Sequence, residues 1–334
     1  MAPKPWGWWT QHKLQILGDY LQVFARASQK SKERIYLDLF AGWPENASRE
    51  TSEEILGSVH RALAAQPPFT QVRLFELPGK AERLSSALRE RYPHHHGLRV
   101  HPGDCNKTIS TALAEFDRIR WAPTFAFVDQ FAAEVHWSTL RQISQFRRSR
   151  NPVTKAEMWI LFGTSFLPRG LQIGQDQMDA KFGDRLTYMF GSEEWVPIVQ
   201  ARRNGVLDPA QTRLELLNLM RWRLQNELGY RATYPFTMKN TGGQDIYHMI
   251  FVSDHPVGDK VMRYLYDKAL AEHEVMRQTA LARRRLKKQS EEAEAMGAVG
   301  LFDVDPADIK FSGSPADLAR VYIPEAPHAP YSTR

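Results

Sequence analysis

Five short apolar runs, separated by stretches of helical pattern, constrain this chain more than any other feature. They are Ile35-Tyr36-Leu37-Asp38-Leu39-Phe40, Val72-Arg73-Leu74-Phe75-Glu76, Leu98-Arg99-Val100-His101, Thr124-Phe125-Ala126-Phe127-Val128-Asp129 and Glu157-Met158-Trp159-Ile160-Leu161-Phe162. Runs this short and this apolar read as buried strands. Helical spacing fills the gaps, over 53–65, 79–91 and 108–119, with a further helix before the fifth run. Strands alternating with helices imply parallel pairing, because a parallel neighbour requires a long crossover.

The flanks add to this frame. Leu14, Leu17, Leu21 and Phe24 fall at helical spacing behind Thr10, which is placed to cap them. Beyond the fifth strand, 164–208 is irregular with short helical stretches and reads as an insertion. A helix over 209–228 follows, then two strand-like runs, 230–238 and 246–253. Asn240-Thr241-Gly242-Gly243 separates them, which is turn chemistry and predicts an antiparallel hairpin. A long helix over 256–289 ends in the basic run Arg283-Arg284-Arg285-Leu286-Lys287-Lys288. The expected fold is therefore α/β, a Rossmann-like class I methyltransferase fold. Its sheet is seven-stranded and mixed, with five parallel β/α units, a C-terminal antiparallel hairpin and a helical insertion. Residues 1–280 read as one domain, and 281–334 as a basic helix end with a poorly ordered tail.

Composition narrows the functional classes. Hydrophobic residues make up 43% of the 334, enough for a sizeable core. The net charge of +6 permits contact with phosphate without demanding it. A single cysteine, Cys105, excludes an intramolecular disulfide and a Cys-based zinc cluster. His94-His95-His96 reads as a solvated turn, so no metal site is expected. The opening residues lack a signal-peptide core, and no apolar run nears the ~20 residues that span a bilayer. The expected setting is cytoplasmic, away from membranes.

Ligands of open parallel sheets bind beyond the C-terminal strand ends. After strand one, Asp38, Phe40, Ala41 and Gly42 are the candidates, with Gly42 free of a Cβ that would hold a ligand off. Trp43-Pro44-Glu45-Asn46 stands where a G-x-G-x-x-G run would continue, which counts against NAD. After strand two, Glu76 can accept from both hydroxyls of a ribose. After strand three, Asp104 can accept from an adenine amino group, and the backbone at Cys105 and Asn106 can hold the ring edge. Capping of the next helix by the same Asp is equally consistent with its position. After strand four, Asp129 and Phe131 stand where amino-directed methyltransferases place a polar group and a stacking aromatic. The two prolines usual there are missing. Lys13, on the first helix, is placed to reach a cofactor carboxylate or substrate phosphate. Together these positions predict binding of S-adenosyl-L-methionine. The substrate expectation is an amino group of a nucleic acid or nucleobase-like molecule, with the basic run 283–288 as a nucleic-acid contact.

Motifs along most of the chain resemble the three-Cys-motif partner proteins, a bacterial family with a class I methyltransferase-like fold. They include Trp9-Thr10-Gln11-His12-Lys13-Leu14, Tyr36-Leu37-Asp38-Leu39-Phe40-Ala41-Gly42, Phe75-Glu76, Gly103-Asp104-Cys105-Asn106 and Phe127-Val128-Asp129 with Trp137. Met189-Phe190-Gly191 with Trp195, and Tyr247-His248-Met249-Ile250-Phe251, extend the likeness. It implies cofactor contacts at Asp38, Gly42, Glu76 and Asp104. It also implies a partner, a radical S-adenosylmethionine iron–sulfur protein that carries the three cysteines. The alternative role is thus a non-catalytic cofactor-binding regulator of that partner. Relatives usually carry Asp-Pro after strand four, where this chain has Asp129-Gln130-Phe131-Ala132.

Overall fold

The computed structural model describes residues 5–49, 53–148, 154–163, 180–295, 322 and 325–333. In chain order the elements are α1 (Trp8–Ala27), β1 (Ile35–Asp38), β2 (Glu45–Ala47), β3 (Glu54–Leu56), α2 (Ser58–Leu63), β4 (Gln71–Glu76), α3 (Pro78–Arg91), β5 (Leu98–Pro102) and α4 (Cys105–Ala114). Then come β6 (Thr124–Val128), α5 (Trp137–Phe146), β7 (Glu157–Gly163), α6 (Ala180–Phe190), α7 (Val196–Arg203), α8 (Pro209–Asn226), β8 (Ala232–Lys239), β9 (Asp245–Ser253) and α9 (Pro256–Ala295).

Seven strands form one mixed sheet in the order β5-β4-β1-β6-β7-β9-β8. The five strands expected to be parallel are parallel. β9 runs against β7, and β8 pairs antiparallel with β9 at the sheet edge. Edge position suits β8, because Pro235 within it has no N–H to give a further neighbour. From β1 the chain steps outward to β4 and β5, then returns to β6 on the other side of β1. That reversal leaves a crevice beyond the β1 and β6 ends, where open α/β sheets bind ligands.

Burial explains the layers. Every residue of β1, β6 and β7 is buried, as expected for strands covered on both faces. One core joins α4, α5, α6, α7 and α8 to one face. The other joins α1, α2, α3 and α9 to the opposite face. α1 and α9 pack on each other along this second face, with His12 and His273 in contact through their Nδ1 atoms at 3.1 Å.

Several local expectations need correction. Gly7, not Thr10, precedes the first helical residue, and α1 has no side-chain cap. The expected helix over 53–65 is instead strand β3 followed by the short α2. Glu54–Leu56 pairs antiparallel with Glu45–Ala47, and that pairing takes precedence over the helical spacing of Ile55, Val59 and Leu63. α4 begins at Cys105 rather than near 108, because the Asp104 carboxylate caps it. α9 continues to Ala295.

Of the supposed insertion, 164–179 lies outside the described residues, and 180–208 contains α6 and α7. Residues 296–321, within the expected loose tail, also lie outside them. The stretch 325–333 is tied down: Asn218 of α8 exchanges two hydrogen bonds with the His328 backbone, and Arg221 donates to the Glu325 carbonyl. No helix among the described residues is long and apolar enough to cross a membrane.

Candidate functional site

β1 ends one residue before the turn that builds the site. Gly42 has φ +61°, a left-handed conformation that glycine adopts without strain. Its N–H donates to Glu76 Oε2 at 2.9 Å, and the Leu77 N–H donates to Glu76 Oε1 at 2.8 Å. The Ala41 N–H meets the Phe75 carbonyl at 3.1 Å, so the β1 turn is fastened to the end of β4. Gly103 (φ +122°) donates its N–H to the Glu76 carbonyl at 2.9 Å, which brings the β5 end alongside.

These turns enclose a cleft of about 530 Å³, lined by Phe40, Gly42, Glu76, Asp104, Asp129 and Phe131 among others. That volume falls within the range of small-molecule and cofactor sites. Acids from three neighbouring strand ends therefore converge beside Gly42, as the sequence suggested. Lys80 of α3 shares the cleft and lies 3.9 Å from Glu76 Oε1.

A second cleft, of about 590 Å³, opens on the other side of Asp129 and Phe131. Lys13, Ala41, Trp9, Arg49 and Tyr247 belong to it, and it shares Phe40, Gly42, Lys80, Asp129 and Phe131 with the first. Phe131 is 88% exposed on the rim between them. Asp129 is gripped by Lys13, whose Nζ donates to its two carboxylate oxygens at 2.6 and 2.5 Å. The Lys13 side chain is 6% exposed and that of Asp129 24%. The Lys13 ammonium also lies 5.5 Å from the Tyr247 ring centre and 5.9 Å from that of Phe127.

The loop after β6 is held by a residue whose role the sequence did not reveal. Gln130 is buried; its Nε2 donates to the Leu161 carbonyl at 2.9 Å, and its Oε1 accepts from the Glu134 and Val135 amides at 2.8 and 2.9 Å. One amide side chain thus fixes the loop. The Phe131 N–H in turn donates to the Glu134 carboxylate at 3.0 Å.

The side chains of Asp38, Asn106 and Lys13 are engaged within the protein, and of these Asp38 lines neither cleft. Asp38 is fully buried. It accepts from the Tyr36 hydroxyl and the Phe40 amide, supporting the turn from beneath. Burial pushes its carboxyl up to about 7, with Asp129 adding to the rise and hydrogen bonds from Ser58, Tyr36 and Phe40 opposing it.

The Asn106 side chain is spent on structure. Its amide donates to Asp104 Oδ1 and the Glu134 carbonyl, and its oxygen accepts from the His136 amide and the Thr139 hydroxyl. That fills its hydrogen-bonding capacity. Cys105 is buried beside the cleft, and burial raises its thiol to about 12. Lys13 engages Asp129 on the second cleft rather than lining the first. Asp104 keeps both readings: Oδ1 caps α4 through the Asn106 amide at 2.9 Å, while the residue lines the cleft.

Two histidines away from the clefts are engaged within the fold. His248 is buried against the Thr237 hydroxyl, and burial lowers its imidazole to about 4. His95 bonds to the Phe69 carbonyl at 2.9 Å. Among the described residues no group of three His, Cys, Asp or Glu side chains could hold a metal ion.

No family model matches the sequence, and no curated protein matches it. Among solved structures, the chain is similar to the crystal structure of protein LPL1258 from Legionella pneumophila str. Philadelphia 1, of family DUF519. The identity is 12% and the TM-score 0.40, over 75% of this chain and 91% of that one. A likeness at that level carries no weight for function, and the site stands on its own geometry.

Proposed function

We propose that this chain binds S-adenosylmethionine and methylates an amino nitrogen of a nucleobase-like acceptor. The observation that carries the reading is the single cleft joining Gly42, Glu76, Asp104 and Asp129 at the reversal of strand order. The order β5-β4-β1-β6-β7-β9-β8, with β9 alone running backwards, suits a class I methyltransferase-like fold. In this reading Glu76 accepts from the ribose hydroxyls, a carboxylate being able to take two donors at once. Asp104 and the neighbouring backbone take the adenine edge. Gly42 admits close approach of the ligand, having no Cβ. When bound, the cofactor supplies an electrophilic methyl group on a sulfonium.

Asp129 accepts a hydrogen bond from the acceptor's amino group and turns its lone pair toward the first cleft. Phe131 stacks on the acceptor base. Lys13 fixes the orientation of the Asp129 carboxylate. The test is methyl incorporation from labelled S-adenosylmethionine into unmodified bulk RNA and DNA. Asp129→Ala is expected to abolish incorporation while still binding cofactor. Full activity in that variant removes Asp129 from the chemistry.

A second reading is favoured by the Lys13–Asp129 pair itself, since Lys13 already engages both carboxylate oxygens. Under it the chain is a cofactor-holding, non-catalytic partner of a radical iron–sulfur protein, as the three-Cys-motif partner resemblance suggests. Cofactor binding without methyl transfer, together with stoichiometric recovery of an iron–sulfur protein, would favour this role.

A further inference from the structure

A third concavity runs on from the second cleft. It measures about 640 Å³ and shares Trp9 and Arg49 with the cleft that holds Asp129. Its other walls are the β8–β9 turn and the α9 residues Arg283, Arg284 and Lys287. Among the described residues, none that lines it is acidic.

The groove is built rather than incidental. Arg277 of α9 donates to the Thr241 carbonyl at 3.1 Å and pairs with Glu274, which docks the turn on the helix. Within the turn, the Asn240 amide N–H donates to the Gln244 carbonyl at 2.9 Å. Arg49 lies over the Trp9 ring at 5.2 Å, so a cation and an aromatic face stand together where the groove meets the cleft.

We infer that this groove and the adjoining cleft form one track for a single-stranded polynucleotide, with phosphates on Arg49, Arg284 and Lys287 and the target base on Phe131. Cations without acids suit a polyanion. Aromatic side chains interleaved with them suit unpaired bases, which have free faces to stack. Single strands fit better than duplex because Asp129, 24% exposed, lies below the Phe131 rim, and a paired base does not reach it without leaving its stack. The inference rests on the methyl-transfer reading only for which end of the track holds the reacting base.

Fluorescence anisotropy with a labelled 12-nucleotide single strand, as RNA and as DNA, tests this without cofactor. Arg284→Glu/Lys287→Glu changes two exposed helix residues. It is expected to weaken single-strand binding at least tenfold and to shallow the log K against log salt slope by about 1.4. Lys30→Glu/Arg203→Glu makes the same charge change at exposed positions outside the groove and is expected to weaken it less than threefold. Equal losses in the two double variants would overturn the inference, as would duplex or polyglutamate binding as tightly as the single strand. Calorimetry with S-adenosylmethionine separates the two readings. Strand binding without cofactor binding removes the methyl-transfer reading alone, and cofactor binding without strand binding removes the track alone.

Discussion

Lys13 Nζ donates to both carboxylate oxygens of Asp129, at 2.6 and 2.5 Å, across 116 positions of sequence. The pair stands where the two clefts meet, so the first helix, packed over one face of the sheet, reaches the end of β6 on which an acceptor would be held. Removing the ammonium leaves a partly buried carboxylate without its counter-ion.

Lys13→Met keeps the length and apolar stem of the side chain. It is expected to lower stability by roughly 1–3 kcal/mol, less than a wholly buried pair because Asp129 is partly solvated. Methyl transfer is expected to fall at least tenfold, with cofactor affinity changed less than threefold. Loss of cofactor affinity equal to the loss of transfer would place Lys13 in the first cleft instead.

Gln130→Ala removes the partners of the Leu161 carbonyl and of the Glu134 and Val135 amides at one stroke. At about 1 kcal/mol for each bond, and more where a buried group is stranded, the expected loss is about 2–4 kcal/mol. Denaturant unfolding measures it. Gln130→Pro does not restore these bonds, so a variant as stable as the parent would show that the loop is held by something else.

Asp38 makes stability depend on pH in a set direction. Its carboxyl is held at about 7 in the folded protein, against about 3.9 in an unfolded chain. Between those values the folded state keeps a proton that the unfolded state has lost, so this contribution to stability shrinks as pH rises from about 4 to about 7. His12, His248 and His273 act oppositely: burial lowers each imidazole, so the unfolded chain takes up protons first as pH falls below about 6.5. Asp38→Asn cancels only the first effect. Relative to the parent it is expected to gain on the order of 2–4 kcal/mol between pH 4 and pH 8. A stability difference that stays constant across that range would contradict the account.

β1, β4, β6 and β7 were legible because each is a short apolar run, a pattern that burial on both faces enforces. The convergence of Glu76, Asp104 and Gly42 followed from strand order, since neighbouring strand ends lie together. What escaped was non-local. The pairing of Lys13 with Asp129 is set by how α1 packs on the sheet. The side-chain partners of Asn106 at Glu134, His136 and Thr139 could not be read because they lie about 30 residues on. Gln130 gave no signal, because its partners at Leu161, Glu134 and Val135 are set by the fold. The small β2–β3 ribbon was hidden because a strand of three residues carries too little periodicity to outweigh a helical pattern.

Isothermal titration of the parent protein and of Glu76→Gln with S-adenosylmethionine bears most directly on the central claim, that Glu76 and Asp104 at neighbouring strand ends form one nucleoside pocket. Saturable one-to-one binding is expected for the parent, with affinity reduced about 10- to 100-fold in the variant, the equivalent of a charged hydrogen bond. No heat of binding in the parent, or equal affinity in both proteins, would contradict it.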